Sequence, residues 1–243
     1  MNGERKNTMP TSDLFYVEQG SGEPLILLHG NGEDHTYFEH QIRFFSSQYR
    51  VIALDTRGHG KSPRGDRRVP FTISQFAEDL CEFMNAHGIP RAHILGFSDR
   101  ANIALTFALK YPQKVKKMIL NGANLDPSGV KAHVQFPIVL GYRVASLFAR
   151  KKPGALQNAE MLRLMVEEPN IKPEQLSRLT MPTLVIAGTQ DMIKTKHTQL
   201  ISDSLPHAEL VLLDGDHFIA NRKPEAFNEE VARFLKKSEE ERS

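Results

Sequence analysis

The sequence has little of several things, and each shortage excludes a class. It contains one cysteine, Cys81, among 243 residues, so no internal disulfide can form, which fits a reducing compartment. No apolar run approaches the roughly 18 residues of a membrane span, and mean hydropathy is −0.39. The opening MNGERKNTMPTS is polar and lacks the apolar stretch of a secretory signal. Charge of one sign is also scarce. Lys and Arg number 31 against 29 Asp and Glu, a net +2, which is no basic field of the kind that dominates nucleic-acid binding. The histidines do not fall at metal-ligand spacing. The expectation is a soluble cytoplasmic protein with no metal, cofactor, membrane or nucleic-acid partner, its oligomeric state left open. The length suits one large domain or one domain with an insertion, and it can hold a full core.

What is present is an alternation. Short apolar runs fall at 14–19, 24–28, 50–54, 92–95, 117–120, 182–188 and 209–213. Most are continuous and not alternating, as in parallel strands covered on both faces. Amphipathic stretches lie between them. One opens with Thr72 or Ser74 as N-cap and ends at Gly88, with Ile73, Phe76, Leu80, Phe83 and Met84 on one side. A second, 100–110, is apolar nearly all round and belongs between layers. Two more cover 195–204 and 224–237, the latter with Pro224 suited to a first turn. From 122 to 179 no strand pattern occurs. That stretch reads as helical, with Pro137 and Gly141 expected to kink or interrupt its first helix. The sequence therefore predicts an α/β core, 1–121 and 180–243, carrying a helical lid at 122–179. The tail from Lys236 is expected to be a frayed, solvated end.

The chemistry-bearing signal is Gly96-Phe97-Ser98-Asp99-Arg100, where a strand runs straight into a helix. A serine on such a turn is lifted above the sheet edge, and a small residue two positions before it lets the backbones approach. A capping serine would look the same in isolation. However, Asp191 follows the strand at 182–188, and His217 follows the strand at 209–213. Both therefore lie at the strand-end edge where ligands bind in open α/β sheets. A hydroxyl needs a base to take its proton, and the base needs a carboxylate to hold its tautomer.

In the order Ser…Asp…His the chain resembles the α/β-hydrolase superfamily over nearly its whole length. Leu27-Leu28-His29-Gly30-Asn31-Gly32 is similar to the family's oxyanion loop, and Asp55-Thr56-Arg57-Gly58-His59-Gly60-Lys61-Ser62 to the D-x-R-G-x-G-x-S loop of lidded members. Gly188-Thr189-Gln190-Asp191 resembles the acid turn and Gly215-Asp216-His217-Phe218 the histidine loop. The resemblance implies an α/β-hydrolase fold, a mostly parallel sheet of about seven or eight strands flanked by helices with a small helical lid. It implies Ser98 as nucleophile, His217 as base and then acid, and Asp191 as its partner. The backbone N–H groups of Asn31 and Asp99 would form the oxyanion hole, so their identities would matter less than the loop geometry. Phe97, Phe136, Leu140, Tyr142, Met161, Met165 and Phe218 are candidates to line the substrate pocket.

Several residues compete for attention. Asp126 follows another strand and is a second candidate acid. Asp214 and Asp216 are too near His217 in sequence and read as loop caps. His29 and His59 read as loop-shaping groups; His35, His40, His87, His93, His133, His197 and His207 read as surface or capping residues, and Cys81 as packing. Arg100 departs from the family's small residue two positions after the serine. It must either snorkel outward or open the elbow, unless Ala101 takes the close-packing role. The basic runs 64–68 and 150–152 read as solvated loops, or as attractors of an anionic substrate end. The predicted activity is hydrolysis of a carboxylic ester through an acyl-enzyme, without cofactor. The alternatives are C–C bond hydrolysis or lysis, thioester hydrolysis, perhydrolysis, or ligand binding with little hydrolysis.

Overall fold

The computed structural model describes residues 13–237 apart from 67, 70 and 150–152. The polar opening stretch to residue 12, the run 150–152 and the tail from 238 lie outside the described residues. Seven strands form one sheet: β1 (Tyr16–Gln19), β2 (Glu23–Leu28), β3 (Tyr49–Leu54), β4 (Ala92–Phe97), β5 (Val115–Asn121), β6 (Thr183–Gly188) and β7 (Ala208–Leu213). Their order across the sheet is β1-β3-β2-β4-β5-β6-β7. Only β1 is antiparallel to its neighbour; the other pairings are parallel.

The continuous apolar runs have a direct cause. In β2, Leu25 and Leu27 enter one core cluster while Ile26 and Leu28 enter the other. Successive side chains point to opposite faces, so a strand buried on both must be apolar at every position. Helices α2 (Ile73–Ala86), α3 (Asp99–Lys110) and α7 (Thr195–Ser204) cover one face. On the other lie α1 (Glu39–Phe45), α8 (Ile219–Arg222) and α9 (Pro224–Lys236). Thr72 caps α2, its side chain accepting the Gln75 N–H at 3.0 Å. The short α1 does not emerge from the sequence pattern, because seven residues with Ile42 and Phe45 as apolar anchors are too few for a helical period.

Between β5 and β6 the chain leaves the sheet and forms α4 (Ala132–Phe148), α5 (Pro153–Glu167) and α6 (Pro173–Leu176). Of the kink or interruption expected at Pro137 and Gly141, the interruption does not occur: α4 is continuous through both. A proline there forfeits a single backbone bond, to the carbonyl of residue 133, and His133 lies on the exposed side where water can satisfy it. Among the described residues no helix is long and apolar enough to cross a membrane. His93 is also corrected. It is buried in β4, with Nε2 at 2.9 Å from a Glu23 carboxylate oxygen, because β4 is covered on both faces from its first residue.

Candidate active site

The parallel register places the last residues of β4 to β7 side by side, with Phe97 opposite Asn121, Asn121 opposite Ile186 and Gly188 opposite Leu213. The loops that follow share one edge. Immediately after β4, Ser98 has φ 55° and ψ −128°, the only non-glycine positive φ among the described residues. L-residues avoid this region at a cost of about 1–2 kcal/mol. The turn is tight enough that a Cβ on Gly96 would sit 2.4 Å from the Arg100 carbonyl oxygen and 2.7 Å from the Ala101 backbone. Gly96 is thus required, and Ala101 takes the close packing at the helix–strand contact.

Oγ of Ser98 lies 2.9 Å from Nε2 of His217, and Nδ1 of His217 lies 2.7 Å from Oδ1 of Asp191. That oxygen also accepts the Ile193 N–H at 2.8 Å. The acid turn and the histidine loop are stitched together, Thr189 N–H donating to the Leu213 carbonyl and Gln190 N–H to that of Gly215, each at 2.8 Å. A Cβ on Gly188 would come within 2.2 Å of the Asp216 carbonyl oxygen, so the two loops pack backbone to backbone. Asp126 sits elsewhere, its carboxylate accepting the Ser128 N–H at 2.7 Å. Asp216 likewise caps its own loop at the Phe218 N–H.

The expected oxyanion donors are unengaged: among the described residues neither Asn31 N–H nor Asp99 N–H has an acceptor. Around them the side chains are more specific than backbone donation requires. Gly30 N–H donates to Oε2 of Glu33 at 3.0 Å while Glu33 N–H donates to the Gly30 carbonyl at 3.3 Å, closing the loop that carries Asn31. Burial pushes Glu33 up to about 6. The Asn31 side chain donates to the Met161 carbonyl at 2.9 Å and lies 3.2 Å from Nε2 of His59. The Asp99 carboxyl is buried, with Oδ2 unpartnered, and burial raises its pKa. Sequence reading missed Glu33, and it missed the environment of the Asp99 side chain. The signal available was one carboxyl just past the oxyanion loop and another at the elbow, where only the backbone N–H is expected to act.

Arg100 neither snorkels nor opens the elbow. It is fully buried, Nε and Nη2 donating to Thr56 Oγ1 at 3.3 and 3.0 Å, with its guanidinium 5.1 Å from the Phe76 ring centre. Space exists because the loop after β3 leaves a polar floor under the helix start. His29 forms part of that floor. Its Nε2 accepts the Thr56 N–H at 3.1 Å, so Nδ1 carries the proton and donates to the Gly30 carbonyl at 2.7 Å. Burial, and secondarily Arg100, push His29 down to about 3 and His59 to about 2. Burial lowers Arg100 itself to about 10.

The pocket candidates divide. Phe97 is buried beneath the site, stacked on Tyr37 at 4.5 Å and tilted against His217 at 4.8 Å. Phe218 meets the His217 ring edge-on at 5.6 Å. Met161 and Met165 are half-buried on α5, Met161 packing against the core. Tyr142 bonds Glu167 at 3.0 Å. Phe136 and Leu140 do not line a pocket: they are 72% and 54% exposed, because α4 turns its 134, 138 and 142 side toward the protein. A carboxylate–imidazole group, Asp34, His35 and Asp55, has ligand atoms within 4.8 Å of one another. Its oxygens brace the loops, Asp55 accepting from the His35 and Lys61 N–H groups and Asp34 from Thr36.

Comparison with known proteins agrees with this fold. A family model described as alpha/beta hydrolase fold matches residues 23–148, over half the chain. A RutD protein of Caulobacter sp. strain K31, named provisionally for carbamate hydrolysis, is 27% identical over 93% of this chain and 97% of its own length. The 3-oxoadipate enol-lactonase 2 of Acinetobacter baylyi is 26% identical over 96% of this chain and 97% of its own. Among solved structures, a hydrolase from Pseudomonas aeruginosa PA01 superposes with TM-score 0.75 and 26% identity, covering 97% of this chain and all of that one.

Proposed function

The chain belongs to the α/β-hydrolase fold family, and from that premise we propose that it is a serine hydrolase cleaving a carboxylic ester. The observation that carries this reading is the hydrogen-bonded series Ser98–His217–Asp191, at 2.9 and 2.7 Å. His217 takes the Ser98 proton as Oγ attacks the carbonyl carbon, and Asp191 holds the imidazole in the tautomer that accepts it. The negative charge on the carbonyl oxygen is met by the N–H groups of Asn31 and Asp99. His217 then protonates the departing alcohol, and an acyl group remains on Ser98. Water, deprotonated by His217, attacks that acyl group and releases the acid. A relative named as an enol-lactonase supports an ester bond as the target class, a lactone being an ester closed into a ring.

A fluorophosphonate probe tests the nucleophile. The wild type labels and hydrolyses short p-nitrophenyl esters, while Ser98→Ala does neither. A wild type that neither labels nor turns over esters, lactones or carbamates overturns the reading. Comparing initial rates on an open-chain ester, a lactone and a carbamate of matched size assigns the preferred bond.

A further inference from the structure

We propose that α4 is a docking face for an anionic lipid surface, seating the protein on a membrane without spanning it. Helix α4 is 17 residues long and has no buried residue. Its solvent side carries Phe136, Leu140, Val144, Leu147 and Phe148, exposed by 47–75%. Spacings of four, four, three and one place these five side chains along one stripe. They are five of the eight large apolar side chains exposed among the described residues. A concentrated apolar face of this kind marks an interaction surface.

Charge decides what covers it. Between Asp126 and Glu160 the sequence contains five Lys or Arg and no acidic residue. Lys131 precedes the helix and Arg143 lies on its exposed side; in sequence Arg150-Lys151-Lys152, outside the described residues, follow within four positions of its end. An apolar stripe flanked by basic residues lies flat at the headgroup level of a negatively charged bilayer, the apolar chains inserted and the cations at the phosphates. A second copy of the chain would bring the same positive charges against these, which opposes self-association through this face. The absence of a spanning segment does not bear on such a surface, since nothing here needs to cross. The face is also coupled to the site. Helix α4 packs on α5, and α5 receives the Asn31 side chain at the Met161 carbonyl and donates from Gln157 to the Gly58 carbonyl at 2.7 Å.

Vesicle co-sedimentation of the full chain tests this. Wild type should pellet with phosphatidylcholine vesicles containing about one third phosphatidylglycerol, and not with phosphatidylcholine alone, and added salt should release it. Leu147→Ser/Phe148→Ser should weaken binding at least about tenfold, each inserted side chain contributing a factor of that order. Arg143→Glu should weaken it about fivefold or more. Both variants should keep wild-type turnover on a water-soluble ester, which shows that they are folded. Failure of wild type to pellet with anionic vesicles overturns the proposal. So does light scattering that finds a dimer which Leu147→Ser/Phe148→Ser dissociates, because a second copy then covers the face.

Discussion

Nη2 of Arg100 lies 2.9 Å from Nε2 and 3.1 Å from Nδ1 of His59. The two ring nitrogens of an imidazole point apart in its plane, one bearing a proton and the other a lone pair, so an atom nearly equidistant from both lies against the ring and not along the lone pair. A buried cation pressed on an imidazole keeps that imidazole neutral. No carboxylate is within ion-pair distance of Arg100 among the described residues, and Nη1 has no partner. Its charge is therefore held by dipoles and ring faces.

Substituting Arg100→Met tests that arrangement. A buried charge without a close counter-ion is replaceable by an apolar group of similar volume at little loss. The expected stability is within about 1–2 kcal/mol of wild type in urea denaturation. The ester rate should fall, because Thr56 loses its donor and His59 loses the cation against its ring. Arg100→Gly should likewise fail to raise turnover. The elbow is already closed, with Ala101 N–H donating to the Ser98 carbonyl at 2.8 Å. A large gain in rate would show instead that Arg100 distorts it.

Ser98→Gly should separate stability from activity. Glycine adopts φ 55° freely where serine is strained. Thermal melting should rise, by an increment of about 1 kcal/mol, while labelling by a fluorophosphonate disappears. An unchanged or lower melting temperature would mean the elbow stores no strain.

Gly122 follows β5, which lies between the strands that lead to Ser98 and to Asp191. A Cβ there would sit 2.6 Å from Cε1 and 2.8 Å from Nδ1 of His217, at φ 66°. Gly122→Ala should therefore displace the imidazole and lower kcat by about 10² or more, a misplacement of about 1 Å being enough. Binding of a non-hydrolysable substrate analogue should change far less. A kcat within a factor of two of wild type would show that the ring can shift without loss.

Stability should fall in mild acid. In the unfolded chain His29 and His59 take up protons near pH 6.5, whereas folded they resist down to about 3 and about 2. Below pH 6.5 the unfolded state therefore binds more protons, and each histidine removes about 1.4 kcal/mol per pH unit. Glu33 works the other way between its unfolded value of 4.5 and about 6, binding a proton first in the folded state, and the raised Asp99 carboxyl acts in the same direction; both blunt the fall. Urea midpoints at pH 7, 6 and 5 should decrease in that order. His59→Phe should flatten the trend, and a pH-independent midpoint would refute it.

The fold was legible because a doubly covered strand must be apolar throughout and an amphipathic helix must repeat, and those constraints act residue by residue. The placement of Ser98, Asp191 and His217 at one edge followed from counting which residues come just after parallel strands. For Arg100, the alternative in which Ala101 takes the close packing and the elbow stays shut is the one the structure shows; where the side chain itself goes was not legible, because only the assembled loop at Thr56 and His59 offers it a buried place. Phe136 and Leu140 were misassigned because the periodicity of α4 marks an apolar stripe without saying whether it faces inward. Glu33 and the Asp99 side chain escaped notice since burial, not residue type, sets their protonation.

His217, the base of the proposed triad, hangs from the sheet's margin. Strand β7 pairs with β6 alone and is only partly buried along its length, yet His217 stands four residues past its end. Edge elements open at lower free energy than central ones. A brief peeling of β7 would withdraw the imidazole from Ser98 while the core around β2, β4 and β5 stayed intact. On warming, turnover should fail before the protein melts, and the working temperature of the enzyme would be set by the fastening of one border strand.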